Sequence, residues 1–279
     1  MHLLPEALVP VVQVALPAAS LAWMHRGGPP GQALRGMLFG LPLPICSCGV
    51  VPVYRSLVVQ GVPASAALAF LVATPELGLD SVLLSIPLLG AEFTVLRLVA
   101  AASVALGVGW ALGRMADRAR PESALSDGRQ GEVESLARKD GQGWPARVVQ
   151  GLRVGLGEVV DHTGPWVLAG LAIAAIAAPM LEGGALTGLP GFWEVPILAL
   201  AGLPVYVCAS GATPLVAVLV AHGVSPGAGL AFLLTGPATN VSTFGVLAGL
   251  HSRKVALAFG LSVGGLAVAL GWLTDALLP

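Results

Sequence analysis

A stretch of 39 residues that occurs twice limits the fold of this chain more than any other feature. Residues 40–78, GLPLPICSCGVVPVYRSLVVQGVPASAALAFLVATPELG, return without a gap at residues 202–240 as GLPVYVCASGATPLVAVLVAHGVSPGAGLAFLLTGPATN, with about 16 of the 39 positions identical at a shift of 162. The matches include Pro42 with Pro204, Cys46 with Cys208, Gly49 with Gly211, Pro52 with Pro214, Gly61 with Gly223, Phe70 with Phe232 and Pro75 with Pro237. Shared apolar bias would match Leu, Val and Ala; matched prolines, glycines and a cysteine point to a duplicated structural unit.

The medium in which that unit folds follows from composition. Of 279 residues 56% are apolar and 10% charged, and the mean hydropathy is +0.85, far from the values of water-soluble domains. Apolar runs near residues 3–24, 94–113, 164–180 and 255–274 each approach the roughly 20 residues a helix needs to cross hydrocarbon. The Gly- and Pro-punctuated segments between them are equally apolar. Their amides can be satisfied at membrane depth only inside protein or beside a wet cavity, which puts the repeated stretches at the centre of the bundle. The expected fold is an all-α integral membrane protein of two tandem repeats with broken helices at its core, multi-pass in the cell inner membrane, with the lipid bilayer as its first partner. A net charge of −1 and the lack of any nucleic-acid motif argue against nucleic acid as a partner. The N-terminus lacks the basic flank of a cleavable signal and carries Pro5 and Glu6, so the first helix is expected to stay. The sequence leaves homo-oligomer formation open.

Residues 1–114 form the expected first transmembrane repeat and residues 148–279 the second. Between them, residues 115–147 are charged, mixed in sign and poor in large apolar side chains, as a solvated cytoplasmic linker would be. Loop charges set the orientation of the halves. After the first helix of half one come Arg26 and Arg35, where half two has Glu182 and Glu194; before the last helix half one has Glu92 at the turn, with Arg97 following inside the helix, where half two has Arg253 and Lys254. By the positive-inside rule the repeats are then inverted, an arrangement that secondary transporters use. The alternative is a parallel pair with an even number of crossings per half.

Each repeat breaks its helices twice. The first break is expected at Pro42, Pro44, Gly49 and Pro52, and at Pro204, Gly211 and Pro214; the second is expected at Thr74-Pro75 and Gly236-Pro237. Proline removes an amide donor, and the exposed half-helix ends can hold ions. Cys46 and Cys48 flank Ser47 at the first break and Cys208 answers Cys46. Thiolates are soft ligands suited to copper(I), zinc or trivalent arsenic, and two cysteines two apart face one site on an extended backbone. The plainer reading of a buried cysteine is a small hydrophobe. Glu76 and Asp80 stand four apart and share one face if the segment is a helix. Carboxylates at membrane depth are functional suspects, as metal ligands or proton carriers; snorkelling to an interface is the alternative. Their counterparts Ala238 and Ser242 are neutral, with Thr239 and Asn240 supplying oxygens nearby. Glu158, Asp161 and His162 precede the second half's first long helix and could form an entrance site, but suit an amphipathic lead-in as well. Arg55, His222, Glu6 and Asp275 look like boundary residues.

At these residues the chain resembles a known family. PLPICSCGVVPV, GVPASAALAFLVATPELGLDS, GLPVYVCASGATPL and LTGPATN are similar to the predicted permeases that include the organoarsenical exporters, and most similar to the branch described as copper/zinc efflux transporters. The resemblance implies an efflux permease whose Cys46 and Cys48 handle a thiophilic cargo. Combined with the residues, it gives an expected substrate site of Cys46, Cys48, Cys208, Glu76, Asp80, Thr239 and Asn240, with Cys46, Cys48 and Glu76 as metal ligands. No phosphate-binding loop occurs, so neither an ATP-driven motor nor a cofactor is expected and proton coupling is the simplest drive. A rival reading is a membrane thiol-disulfide carrier using Cys46 and Cys208. A third is a membrane subunit with no substrate of its own.

Overall fold

A computed structural model of the chain describes residues 23–43, 47–119, 191–203 and 209–278, and only the backbone of Ser47, Cys48, Pro52, Leu79, Asp80, Gly191, Ser210, Val241 and Ser242. Ten helices lie among the described residues: α1 (Pro29–Gly40), α2 (Ser47–Val59), α3 (Ala64–Leu77), α4 (Leu79–Leu89), α5 (Ala91–Arg118), α6 (Gly191–Gly202), α7 (Ala209–Ala221), α8 (Pro226–Thr235), α9 (Val241–Leu250) and α10 (Arg253–Leu277). No strand occurs among them. A shift of 162 carries the first residue of each of α1–α5 onto the first residue of α6–α10. The left-handed turn glycines Gly61 and Gly223, at φ +84° and +97°, correspond as well. Each reverses the chain between two helices where a Cβ would be strained.

Within a repeat the third helix is the core. Every residue of α3 is buried, as are Gly227 to Thr235 of α8, so these helices are apolar all round rather than on one stripe. α3 packs against α1 and α5, and α8 against α6 and α10. The backbones approach closely: a Cβ on Gly36 would collide with the Ala66 carbonyl, and one on Gly227 with the Gly271 carbonyl. Small residues allow this in membrane bundles, where packing replaces the hydrophobic effect between helices.

These contacts fix the chain's path. Gly36 lies against Ala66 and Gly40 against Phe70 and Thr74, so α1 runs beside α3 in the same direction. The Asp117 Oδ1 accepts the Ala64 amide at 3.0 Å, which places the start of α3 level with the end of α5. Four residues separate the end of α2 from the start of α3, so α2 leads back to that level, and α1 and α2 are the two arms of a hairpin. α6 and α7 repeat it, with Gly202 against Thr235. The start of α8 is tied to the end of α10 through Asp275, whose Oδ1 accepts the Gly227 amide at 2.6 Å and whose Oδ2 accepts the Ser225 hydroxyl at 3.0 Å. Glu194 Oε2 accepts the Ser225 amide at 3.0 Å. Asp275 and Glu194 are thus capping groups of the core helix and not simple boundary charges. Helices of 12 and 13 residues span about 18–20 Å, short of the roughly 30 Å of hydrocarbon. α5 and α10 are each long and apolar enough to cross, and α3 with α4, bent by 45°, passes as a third span.

Several expected boundaries move. Apolar runs 94–113 and 255–274 fall inside α5 and α10, and α5 continues past Arg114 to Arg118. α1 stops at Gly40, ahead of Pro42, whereas Gly49, Pro52, Gly211 and Pro214 sit within α2 and α7. The missing amides of Pro52 and Pro214 leave the first-turn carbonyls of Cys48 and Ser210 without their helical donor. The second break comes at Gly236 in half two, where α8 ends at Thr235. In half one it comes at Gly78, not at Pro75, which α3 carries in its last turn. Glu76 and Asp80 therefore stand on two helices and do not share one helical face. Nearly all of 3–24, all of 164–180, most of the linker, and Glu158, Asp161 and His162 lie outside the described residues.

The halves meet in matched pairs. α5 lies beside α10, α4 beside α7, and α2 beside α9. Since α7 is the copy of α2 and α9 that of α4, the α4–α7 and α2–α9 contacts are reciprocal, as a two-fold relation between the halves would make them; α8 touches α5 as well. Near the end of α5 the Ala116 carbonyl bonds His251, just ahead of α10, and midway along, Gly107 lies against Leu266.

Candidate functional site

The α4–α7 contact holds a buried ion pair. Glu76 ends α3, Arg97 lies two turns into α5, Ser81 and Ser85 stand on α4, and Thr213 stands on α7 of the other half; each is at most 1% exposed. Arg97 Nη2 meets Glu76 Oε2 at 3.4 Å. Arg97 Nη1 donates to Ser85 Oγ at 2.6 Å and to Thr213 Oγ1 at 3.0 Å. The two hydroxyl protons go elsewhere, Ser85 to the Ser81 carbonyl and Thr213 to the Ala209 carbonyl, both at 2.7 Å. What they present to the guanidinium is therefore lone pairs, so the cation is held from both halves by acceptors.

The cluster is not saturated. Glu76 Oε1, Arg97 Nε and Ser81 Oγ are buried with no partner among the described residues, and 3.4 Å is long for a charge-assisted bond, which is usually about 2.7–2.9 Å. A loosely paired, incompletely bonded ion pair gives little net stability. It does give two carboxylate states: ionised, Glu76 holds Arg97; protonated, it lets Arg97 rest on Ser85 and Thr213 alone. Arg97 also neutralises Glu76, so the carboxylate offers a metal cation only Oε1 and no unbalanced charge.

The other expected site residues are less fully placed. Cys46 and Cys208 lie outside the described residues, directly ahead of α2 and α7. Cys48 is on the first turn of α2, so an extended backbone that aims two cysteines one way does not reach it. Asp80 follows the Gly78 break, on the first turn of α4. Thr239 and Asn240 are buried, and both serve the backbone. The Thr239 hydroxyl bonds the Thr235 carbonyl, and Asn240 Oδ1 caps α9 by accepting the Thr243 amide at 2.8 Å and its hydroxyl at 3.0 Å. Among the described residues no three of His, Cys, Asp and Glu gather as a metal site.

Sequence reasoning missed Arg97, Ser81, Ser85 and Thr213. Arg97 had a signal, because a lone arginine in a long apolar helix needs a partner; the serines and the threonine had none. It also missed a second link across the halves. Tyr54 on α2 bonds His251 Nε2 at 2.8 Å, and His251 Nδ1 bonds the Ala116 carbonyl at 2.9 Å. A carbonyl only accepts, so Nδ1 carries the proton, and in the neutral ring Nε2 accepts from the Tyr54 hydroxyl.

No curated protein and no solved structure matches the chain. A family model does, that of a predicted permease, over residues 28–276, a range that takes in every helix described above except the last residue of α10. By this match the chain belongs to that predicted permease family.

Proposed function

We propose that this permease is a secondary-active exporter of a thiophilic metal or metalloid species, copper, zinc or an arsenical, coupled to protons through Glu76. The observation that carries the reading is the Glu76–Arg97 pair, tied across the two halves by Thr213. Because Arg97 already balances Glu76, we assign this carboxylate to the proton and not to the cargo, with Asp80 beyond the break as its relay. Cargo falls to Cys46, Cys48 and Cys208 with Thr239 and Asn240 nearby, the soft sulfur donors suited to such ions. Protonation of Glu76 would release its hold on Arg97 and leave the guanidinium on Ser85 and Thr213 alone, linking proton entry to how α3 sits against the rest of the bundle.

We also read the repeats as inverted. Support comes from the end of α5 meeting the start of α10, with Gly107 against Leu266 between, as two antiparallel copies would do. On that reading Arg26, Arg35, Arg55, Arg114, Arg118, Arg253 and Lys254 share one end and Glu92, Glu194 and Asp275 the other, which turns the first end to the cytoplasm.

Flux of copper, zinc and trivalent arsenicals in proteoliposomes tests the reading, comparing wild type with Cys46→Ser, Cys48→Ser and Glu76→Gln. The expected result is movement of one cargo class, with each cysteine variant slower by about tenfold or more, the effect of losing ~1.4 kcal/mol at the site. Equal flux in all four proteins sinks the assignment.

A further inference from the structure

The two polar links between the halves occupy reciprocal places. Thr213 on α7 reaches the α4–α5 corner through Arg97, while Tyr54 on α2 reaches the end of α9 and the end of α5 through His251. At a shift of 162 Thr213 corresponds to Val51, one turn before Tyr54, and Ser85 corresponds to Leu247, one turn before His251. The same hairpin arm is thus tied to the same broken helix twice, with different chemistry and a one-turn displacement. The residues that anchor the two ties on α5, Arg97 and Ala116, are 19 positions apart, about 28 Å along a helix at 1.5 Å per residue. That is close to the thickness of the hydrocarbon.

Each tie is made by the returning arm of a hairpin. α2 and α7 are the returning arms of hairpins too short to span, each followed by a positive-φ glycine, Gly61 and Gly223. Each packs on a broken-helix arm of the opposite half, α2 on α9 and α7 on α4. Both ties are made in this structure.

We propose that the Tyr54–His251–Ala116 link and the Arg97–Thr213 link are the two gates of the transport cycle, the first opening to the cation-rich end and the second to the opposite end. This rests on the transporter reading, because alternating access needs one closure on each side of the site. Tyr54, His251 and Thr213 are gate residues and do not hold cargo.

Hydrogen exchange on the full chain in lipid nanodiscs tests this without a cargo, using Tyr54→Phe and Thr213→Val, which keep shape and remove a hydroxyl. Loss of one hydrogen bond shifts an opening equilibrium by about fivefold. Tyr54→Phe is expected to raise exchange by that factor along the whole arm from Gly49 to Val59 and in α9, with α4 and α7 unchanged or better protected. Thr213→Val is expected to do the reverse, along α7 and α4. A rise confined to the turn around the substituted residue, a rise at both ties together, or no change overturns the gates. Flux measured in parallel separates the claims: if wild type moves no cargo the export reading fails, whereas the exchange pattern alone decides whether the ties are gates.

Discussion

One place in the first repeat carries charge where its counterpart carries hydrocarbon. Glu76, Ser85, Arg97 and Thr213 correspond at the shift of 162 to Ala238, Leu247, Phe259 and Val51, and these four are likewise buried. The backbone around them is the same: helices begin at matched positions and meet in matched pairs. Apolar side chains therefore suffice to pack this corner. An ion pair with atoms unpartnered among the described residues is the poorer choice for stability, and its presence in one copy alone is the feature that the proposed proton coupling accounts for. The duplicated frame carries an ion pair at one corner and, one turn from the matching position, the Tyr54–His251 link at the other.

Making the first copy resemble the second is the most forceful way to break this comparison. Arg97→Met strands a buried carboxylate and is expected to lower stability by about 3–5 kcal/mol, seen as a fall in the thermal unfolding midpoint in detergent. Glu76→Ala with Arg97→Phe, the residues of the second copy, is expected to unfold close to wild type while losing coupled transport. Should the double variant be as unstable as Arg97→Met, the pair would be structural and the contrast between copies would lose its meaning.

A smaller effect sharpens the comparison where the copies differ in packing. Gly36 has Leu198 as its counterpart, so α1 and α3 approach more closely than that position allows in the second repeat. Gly36→Ala is expected to cost about 1–3 kcal/mol through overpacking against Ala66. Gly31→Ala in the same helix, with nothing within 4 Å of the new Cβ, is expected to be neutral or to stabilise by about 0.5–1 kcal/mol. The same unfolding measurement reads both; equal effects would deny the close approach.

The frame was legible in the sequence to the extent that it is local. Matched prolines and glycines marked the repeat, and helix starts obey the same shift throughout. Pro42 and Gly236 marked true helix ends, but Pro75 did not: tertiary packing of α3 on both faces carries the helix through it to Gly78. The hairpins were not legible, because alternation of apolar segments and breaks does not say whether a chain crosses or turns back. Contacts such as Asp117 with Ala64 decide that. The site was half legible. Glu76 declared itself as a carboxylate in an apolar run; Arg97, 21 positions later, becomes its partner only when α5 folds back along α3 and α4. Thr213 joins only when the second half docks. Tyr54 and His251, ordinary residues in sequence, are 197 positions apart and gain a role only from the same docking.

The central claim, that the Glu76–Arg97 pair is where protons enter the cycle, is tested most directly by cargo flux in proteoliposomes under a series of imposed pH gradients. The account predicts that wild-type flux follows the gradient and that Glu76→Gln, folded and still able to bind cargo, gives the same flux at every gradient. A Glu76→Gln protein whose flux still follows the gradient as wild type does would contradict it.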